Sequence, residues 1–242
     1  MAEPVIEMKG VSFSAQNKTI VKNVSLMIEE GKTSALAGPS GGGKSTILKL
    51  AAGILVPSEG DVFYRGKNIA SMNRTQNLAF RREAAVVFQD SALWANQDLN
   101  QILELPLRIH FPGMESGKRQ ERIREVAEMV GYHRDLAVRP AMLSMGEQKL
   151  IAFARAMLCY PAALFLDEWT ESLDDSAAQR LMGIVRHFKA EGKTIILVSH
   201  DFSLIQSLAD YVIMIVEGQI FRRIEGEQIS KDRDLAKLAE ED

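Results

Sequence analysis

The spacing of apolar residues changes character along the chain. From Val5 to Ala37, short β-rich runs are separated by "AQNK" and "EEGK", a pattern that predicts antiparallel strands joined by turns. Thr33 to Ala37 is a small and apolar run entering a glycine cluster, and beyond it Ile47, Ala51, Ile54 and Leu55 recur at helical spacing. Ser116 is placed to cap a helix whose stripe is Ile123, Val126, Ala127 and Val130, with Gly131 as its stop. Three later runs, Ala162 to Leu166, Thr194 to Val198 and Tyr211 to Val216, are too short for helices and do not alternate. They read as parallel strands buried on both faces. Helical stripes between them, such as Leu181, Ile184, Val185 and Phe188, supply crossover connections. From about Asp90 to Met142 the period is helical without a strong strand, as expected of a helical insertion into an α/β core. The charged end "KDRDLAKLAEED" reads as a short solvated helix.

Composition adds little but excludes much. The chain has 242 residues, 46% hydrophobic and 25% charged, which is ordinary globular composition. A net charge of −3 offers no general attraction to nucleic acid, and no such partner is expected. Cys159 is the only cysteine, so an internal disulfide and a thiolate metal cluster are excluded; it reads as a small buried hydrophobe. No run approaches the ~20 apolar residues that span a bilayer, and the N-terminus lacks an apolar stretch of signal-peptide length. A cytoplasmic protein that reaches a membrane only through another chain is the expectation.

The chemistry concentrates in four places. In "GPSGGGKST", Gly38, Gly43, Lys44 and Ser45 match the phosphate-loop pattern in full, between a predicted strand and a predicted helix. Such a loop, Gly38, Pro39, Ser40, Gly41, Gly42, Gly43, Lys44, Ser45 and Thr46, wraps backbone N–H groups around phosphate. Lys44 would reach the β- and γ-phosphates of a bound nucleotide, and Ser45 would ligate Mg2+. A plain glycine turn is the alternative, and Lys-Ser-Thr opening a helix weighs against it. Asp167 and Glu168 follow a buried run, so they belong at the carboxyl edge of the sheet, facing the same phosphates. Asp167 can hold Mg2+ through water, and Glu168 can act as general base. His200, after another such run, is a candidate for contacting the γ-phosphate and the attacking water. Gln89, after "VVF", could ligate Mg2+ or orient water, with a plain surface glutamine as the rival reading.

The order of the glycine loop, Gln89, "LSMGE", Asp167-Glu168, "ESLDD" and His200 resembles the ATP-binding cassette ATPases, specifically the nucleotide-binding subunits of ABC transporters. The resemblance covers nearly the whole chain as one domain, 1–242. It implies a RecA-like P-loop NTPase core with an N-terminal antiparallel β-subdomain and an inserted helical subdomain at about 90–158. It further implies an ATP hydrolase in which two copies close head to tail on two ATP molecules and drive an integral membrane permease. By resemblance Gln89 is the Q-loop, Leu143 to Glu147 the signature that grips the opposing nucleotide through Ser144, Gly146 and Glu147, Glu171 to Asp174 the D-loop, and His200 the switch histidine.

Several residues depart from that pattern. Ala15 stands where an aromatic residue stacks on adenine, with Phe13 as a candidate substitute. Trp169 replaces a proline, Glu171 a small residue, Met145 a glycine and Glu147 a glutamine. Since Ser144, Gly146 and the helix stripe Leu150, Phe153, Ala154, Met157 and Leu158 remain, the signature is expected to work, slowed by the negative charge of Glu147 near phosphate. The run "VVFQDSALW" is similar to the ATPases of bacterial MCE-type phospholipid transport systems. A non-transporting regulator acting through a membrane protein, as in cell-division complexes, and a partly degenerate ATP clamp are the rival readings.

Overall fold

Gln16 and Asn17 both adopt left-handed backbone angles, φ 49° and 61°, the turn geometry that suits the twist of a two-residue hairpin. They join strand β1, Pro4–Ala15, to β2, Lys18–Glu29. The computed structural model describes residues 4–232, so the expected terminal helix lies largely outside the described residues. The chain continues through β3, Thr33–Ala37; α1, Lys44–Ala51; β4, Glu59–Tyr64; β5, Lys67–Asn68; α2, Arg74–Glu83; and β6, Ala84–Val87. Helices α3, Leu99–His110, α4, Ser116–Met129, and α5, Met145–Met157, pack on one another before the chain returns to the sheet. There follow β7, Ala163–Asp167; α6, Asp175–Ala190; β8, Thr194–Val198; α7, Phe202–Leu208; β9, Tyr211–Val216; and β10, Gln219–Glu225.

Two sheets result. One is antiparallel, in the order β2-β1-β4-β5; the other runs β10-β9-β3-β8-β7-β6, parallel from β9 to β6. The "EEGK" turn therefore does not make a second hairpin. It carries the chain from one sheet into the other, because all five residues of β3 are buried and need cover on both faces, whereas β2 alternates. Along the parallel strands, successive residues feed opposite cores. Leu164, Leu166, Ile195 and Leu197 join the helices α3 to α6, while Phe165, Ile196, Val198 and Ile213 join α1 and the antiparallel sheet.

Three local expectations need correction. Helix α1 stops at Ala51, so Ile54 and Leu55 lie outside it: Gly53 takes φ 62°, with the N–H groups of Gly53 and Ile54 closing on Leu50 and Lys49 carbonyls. Ser116 is the first helical residue of α4, and Glu115 occupies the cap without a side-chain bond. Gly131 does stop α4, at φ 82°, and Gly131 and Tyr132 donate to Glu128 and Ala127 in the same closing motif. In α5 the buried face is broader than one stripe and includes Ile151 and Ala152, with Leu150 and Met157 only half-buried.

Candidate active site

The glycine loop occupies the turn from β3 into α1, and its sequence is dictated by how closely other backbone approaches it. A Cβ at Gly38 would lie 1.9 Å from the Ile215 carbonyl oxygen, and one at Gly42 would lie 2.9 Å from that of Pro39. Gly43, at φ 97°, precedes the first turn of α1, and Gly218 donates its N–H to Gly42 at 3.0 Å to brace the loop. Lys44 lies across the loop and donates to the carbonyls of Gly38 at 2.6 Å and Pro39 at 3.0 Å. Beside it opens a cavity of about 560 Å3, walled by Lys18, Thr19, Ile20 and Lys22 of β2. Neither Ala15 nor Phe13 lines this cavity, and half-buried Phe13 packs against the core between the sheets.

Asp167 closes β7 and is fully buried. Ser45 donates its hydroxyl to Asp167 Oδ1 at 2.7 Å. Asp167 Oδ2 has no hydrogen-bond partner among the described residues, with Lys49 Nζ standing 3.8 Å off. An all-oxygen set with one buried, unsatisfied carboxylate oxygen suits a hard divalent cation such as Mg2+.

The next residue, Glu168, adopts φ 43° while its N–H bonds to the Val198 carbonyl across the strand ends. That left-handed turn is unusual for a residue with a side chain. The Glu168 carboxylate lies 3.1 Å from His200 Nδ1, and Glu171 stands 3.9 Å from the same nitrogen. Burial pushes the Glu168 carboxyl above its ordinary pKa, the contact with His200 opposes this, and the charge of Glu171 adds to the rise. Gln89 donates its amide N–H to Glu171 at 3.0 Å, a tie the sequence reading did not anticipate.

Two cations on α5, overlooked in the sequence reading, organise the loop after β6. Lys149, only 3% exposed, donates to the carbonyls of Phe88, Gln89 and Glu168. Burial lowers its pKa, opposed by the carboxylates of Glu171, Asp90, Asp167 and Glu168. Arg155 donates to Ser91 at 3.1 Å and Ala92 at 2.6 Å, both left-handed residues. The carbonyls that Lys149 and Arg155 serve on that loop lie 60 or more positions away, and no local spacing signals a partner this remote.

At the start of α5, Ser144 caps the helix by accepting from the Glu147 N–H at 3.2 Å, and Glu147 accepts the Ser144 N–H at 2.9 Å. Arg134 also donates to Glu147 at 2.7 Å, and this contact, with the Ser144 N–H, lowers the Glu147 pKa. The charge expected to repel phosphate is thus engaged within the chain. Met145 is 71% exposed, whereas a Cβ at Gly146 would meet the Ser172 carbonyl oxygen at 2.9 Å. Glycine is required at 146, and at 145 the surface is open.

With this geometry in place, the class is defined: a phosphate-loop core whose parallel sheet gathers Ser45, Asp167, Glu168 and His200 at one edge. The profile described as "ABC transporter" matches residues 21–171, and the chain belongs to the ABC transporter family. It is 33% identical over 218 residues to the methionine import ATP-binding protein MetN of Brucella abortus (strain 2308), covering 90% of this chain and 58% of that protein. The chain thus spans a little over half the length of that relative. It is 35% identical over 215 residues to the nickel import ATP-binding protein NikE of Brucella suis biovar 1 (strain 1330), covering 87% of this chain and 80% of the relative. Among solved structures, a dimeric ATP-binding cassette in a post-hydrolysis state bound to ADP and Pi superposes with TM-score 0.82 at 28% identity, covering 91% of this chain and 98% of that one.

Proposed function

We propose that the chain is the ATP-binding and ATP-hydrolysing subunit of an ABC transporter, working as a head-to-tail pair beneath an integral membrane permease. The observation that carries the reading is the placing of Glu168 and His200 at the sheet edge that also holds Ser45 and Asp167 beside the glycine loop. In this reading the loop from Gly38 to Thr46 binds the phosphates, and Lys44 exchanges its two carbonyl partners for β- and γ-phosphate oxygens. Ser45 and Asp167 would hold Mg2+, with Gln89 as a further candidate ligand; bound there, the ion would neutralise phosphate charge. Glu168 takes the proton of the attacking water at its carboxylate, and burial makes it a stronger base. His200 keeps a proton on Nδ1 toward Glu168, which fixes the ring and leaves Nε2 for the terminal phosphate. Ser144 and Gly146 grip the nucleotide of a second copy.

The inserted helical subdomain, about 90–158, would receive the permease. Its border with the sheet forms a groove of about 530 Å3 lined by exposed Arg82 and Trp94 and half-buried His110 and Arg155, and no helix among the described residues is long and apolar enough to cross a membrane. A cytoplasmic position at the membrane face follows from that docking. The relatives' names carry different cargoes, methionine and nickel, at comparable identity, which supports assigning cargo choice to the permease. A phospholipid cargo is the finer reading of the run Val86 to Trp94, tested by lipid analysis of the purified complex.

The decisive experiment is Glu168→Gln, which keeps shape and removes the base. With Mg-ATP the variant should bind nucleotide, cease hydrolysis and accumulate as a dimer by light scattering, reverting to monomer with ADP. A variant that binds ATP but stays monomeric at high concentration would show that this signature does not close on its own copy and would favour a heteromeric clamp.

A further inference from the structure

Lys149 is withdrawn from water although no carboxylate among the described residues touches its ammonium. Its three N–H donors instead meet three main-chain carbonyls, those of Phe88 at 3.4 Å, Gln89 at close contact and Glu168 at 3.5 Å. An ammonium is tolerated in such a place only where its donors are satisfied. The carbonyls come from two loops that the strands alone do not fix. One follows β6 and turns through left-handed Ser91 and Ala92; the other is the left-handed turn at Glu168 itself. Backbone of this kind persists where its surroundings over-determine it. The direction of the Glu168 side chain depends on that turn, because the same φ that presents its carbonyl to Lys149 aims its carboxylate at His200. Trp169 adds a second tie, its buried indole lying 5.8 Å from the Phe153 ring of α5.

We propose that Lys149 is a positioning residue for hydrolysis: it pins the turn bearing Glu168 and the loop bearing Gln89 to α5, the helix whose first turn carries Ser144. The base then moves as one piece with the signature. A nucleotide gripped by Ser144 at one site is thereby linked to the orientation of Glu168 at the other site of the pair. This rests on the reading of Glu168 as the base.

The test compares Lys149→Met, of similar length but without donors, with Lys149→Gln, which restores N–H donors without charge. Steady-state hydrolysis of Mg-ATP by the purified chain is measured beside amide hydrogen exchange of the nucleotide-free chain. For Lys149→Met, kcat should fall about tenfold or more while KM stays within about twofold, since the ground-state phosphate contacts are untouched. Exchange should quicken in residues 88–92 and 168–172 and not elsewhere, and Lys149→Gln should recover much of the lost kcat. The proposal is overturned if Lys149→Met keeps kcat within about twofold of the parent, or if exchange quickens throughout and Lys149→Gln is equally impaired, as general destabilisation would cause. Glu168→Gln is run alongside. Parental hydrolysis in that variant would remove the base reading, whereas an inactive Glu168→Gln beside a fully active Lys149→Met would remove the positioning role alone.

Discussion

Glu168 sits where a carboxylate is hardest to keep charged, and that sets a pH dependence. Its pKa is raised, first by burial, so on acidification it takes up a proton before an ordinary glutamate, whose value is 4.5, would do so. Turnover should therefore begin to fall on the acid side above pH 4.5, which a pH–rate profile at saturating Mg-ATP would record. Stability moves oppositely. The folded state favours the protonated form, so the contribution of this group is greatest below the unfolded value and declines as pH rises through the folded one. Cys159 makes a separate case: burial pushes its thiol from 9.0 to about 11, and alkylation by iodoacetamide at pH 8 should be about a hundredfold slower than for a free cysteine. Fast labelling would show that the half-buried thiol is open to solvent. Lys44 and Ser45 were legible because both fall inside one short glycine-loop pattern, although the structure pairs Ser45 with Asp167, 122 positions away. Lys149 was not, because the carbonyls it serves lie 61, 60 and 19 positions away, and nothing local marks a lysine for that task.

At the scale of elements, the strands buried on both faces were read well: Thr33–Ala37, Thr194–Val198 and Tyr211–Val216 fall where the unbroken apolar runs placed them. The edge strand β10 was missed. β10 needs apolar residues on only one side, and its seven positions carry Arg222 and Arg223. The glycine at 131 made the end of α4 legible, Gly53 did not do the same for α1, and the cap inferred from residue type at Ser116 misled. The close of α4 offers a test. At Gly131, φ is 82° and an added Cβ would meet Arg180 Nε at 2.6 Å, so Gly131→Ala combines backbone strain with the displacement of a flexible side chain. A loss of about 1–2 kcal/mol in urea unfolding is expected. An unchanged midpoint would mean that the closing motif contributes nothing to stability.

The whole molecule is held together by one sheet that belongs to two cores. Since neighbouring residues of β7 and β8 point into different clusters, neither cluster can dissolve without uncovering the other. Unfolding should accordingly be a single transition, with far-ultraviolet circular dichroism and the fluorescence of buried Trp169, in a Trp94→Phe background, coinciding along a denaturant series. Separated transitions would identify the helical segment as an independent folding unit.

The left-handed residues Ser91, Ala92, Glu168 and Ser172 have a further consequence for how such a chain could adapt to heat. Each holds a side chain in backbone geometry that glycine adopts without strain, so a selection based only on survival at high temperature would favour Ala92→Gly or Ser172→Gly, with gains of up to about 1 kcal/mol apiece. The same exchanges would give the loops around Glu168 more ways to move. Heat tolerance and catalytic speed would then pull this small set of positions in opposite directions, and variants selected for one should be poorer in the other.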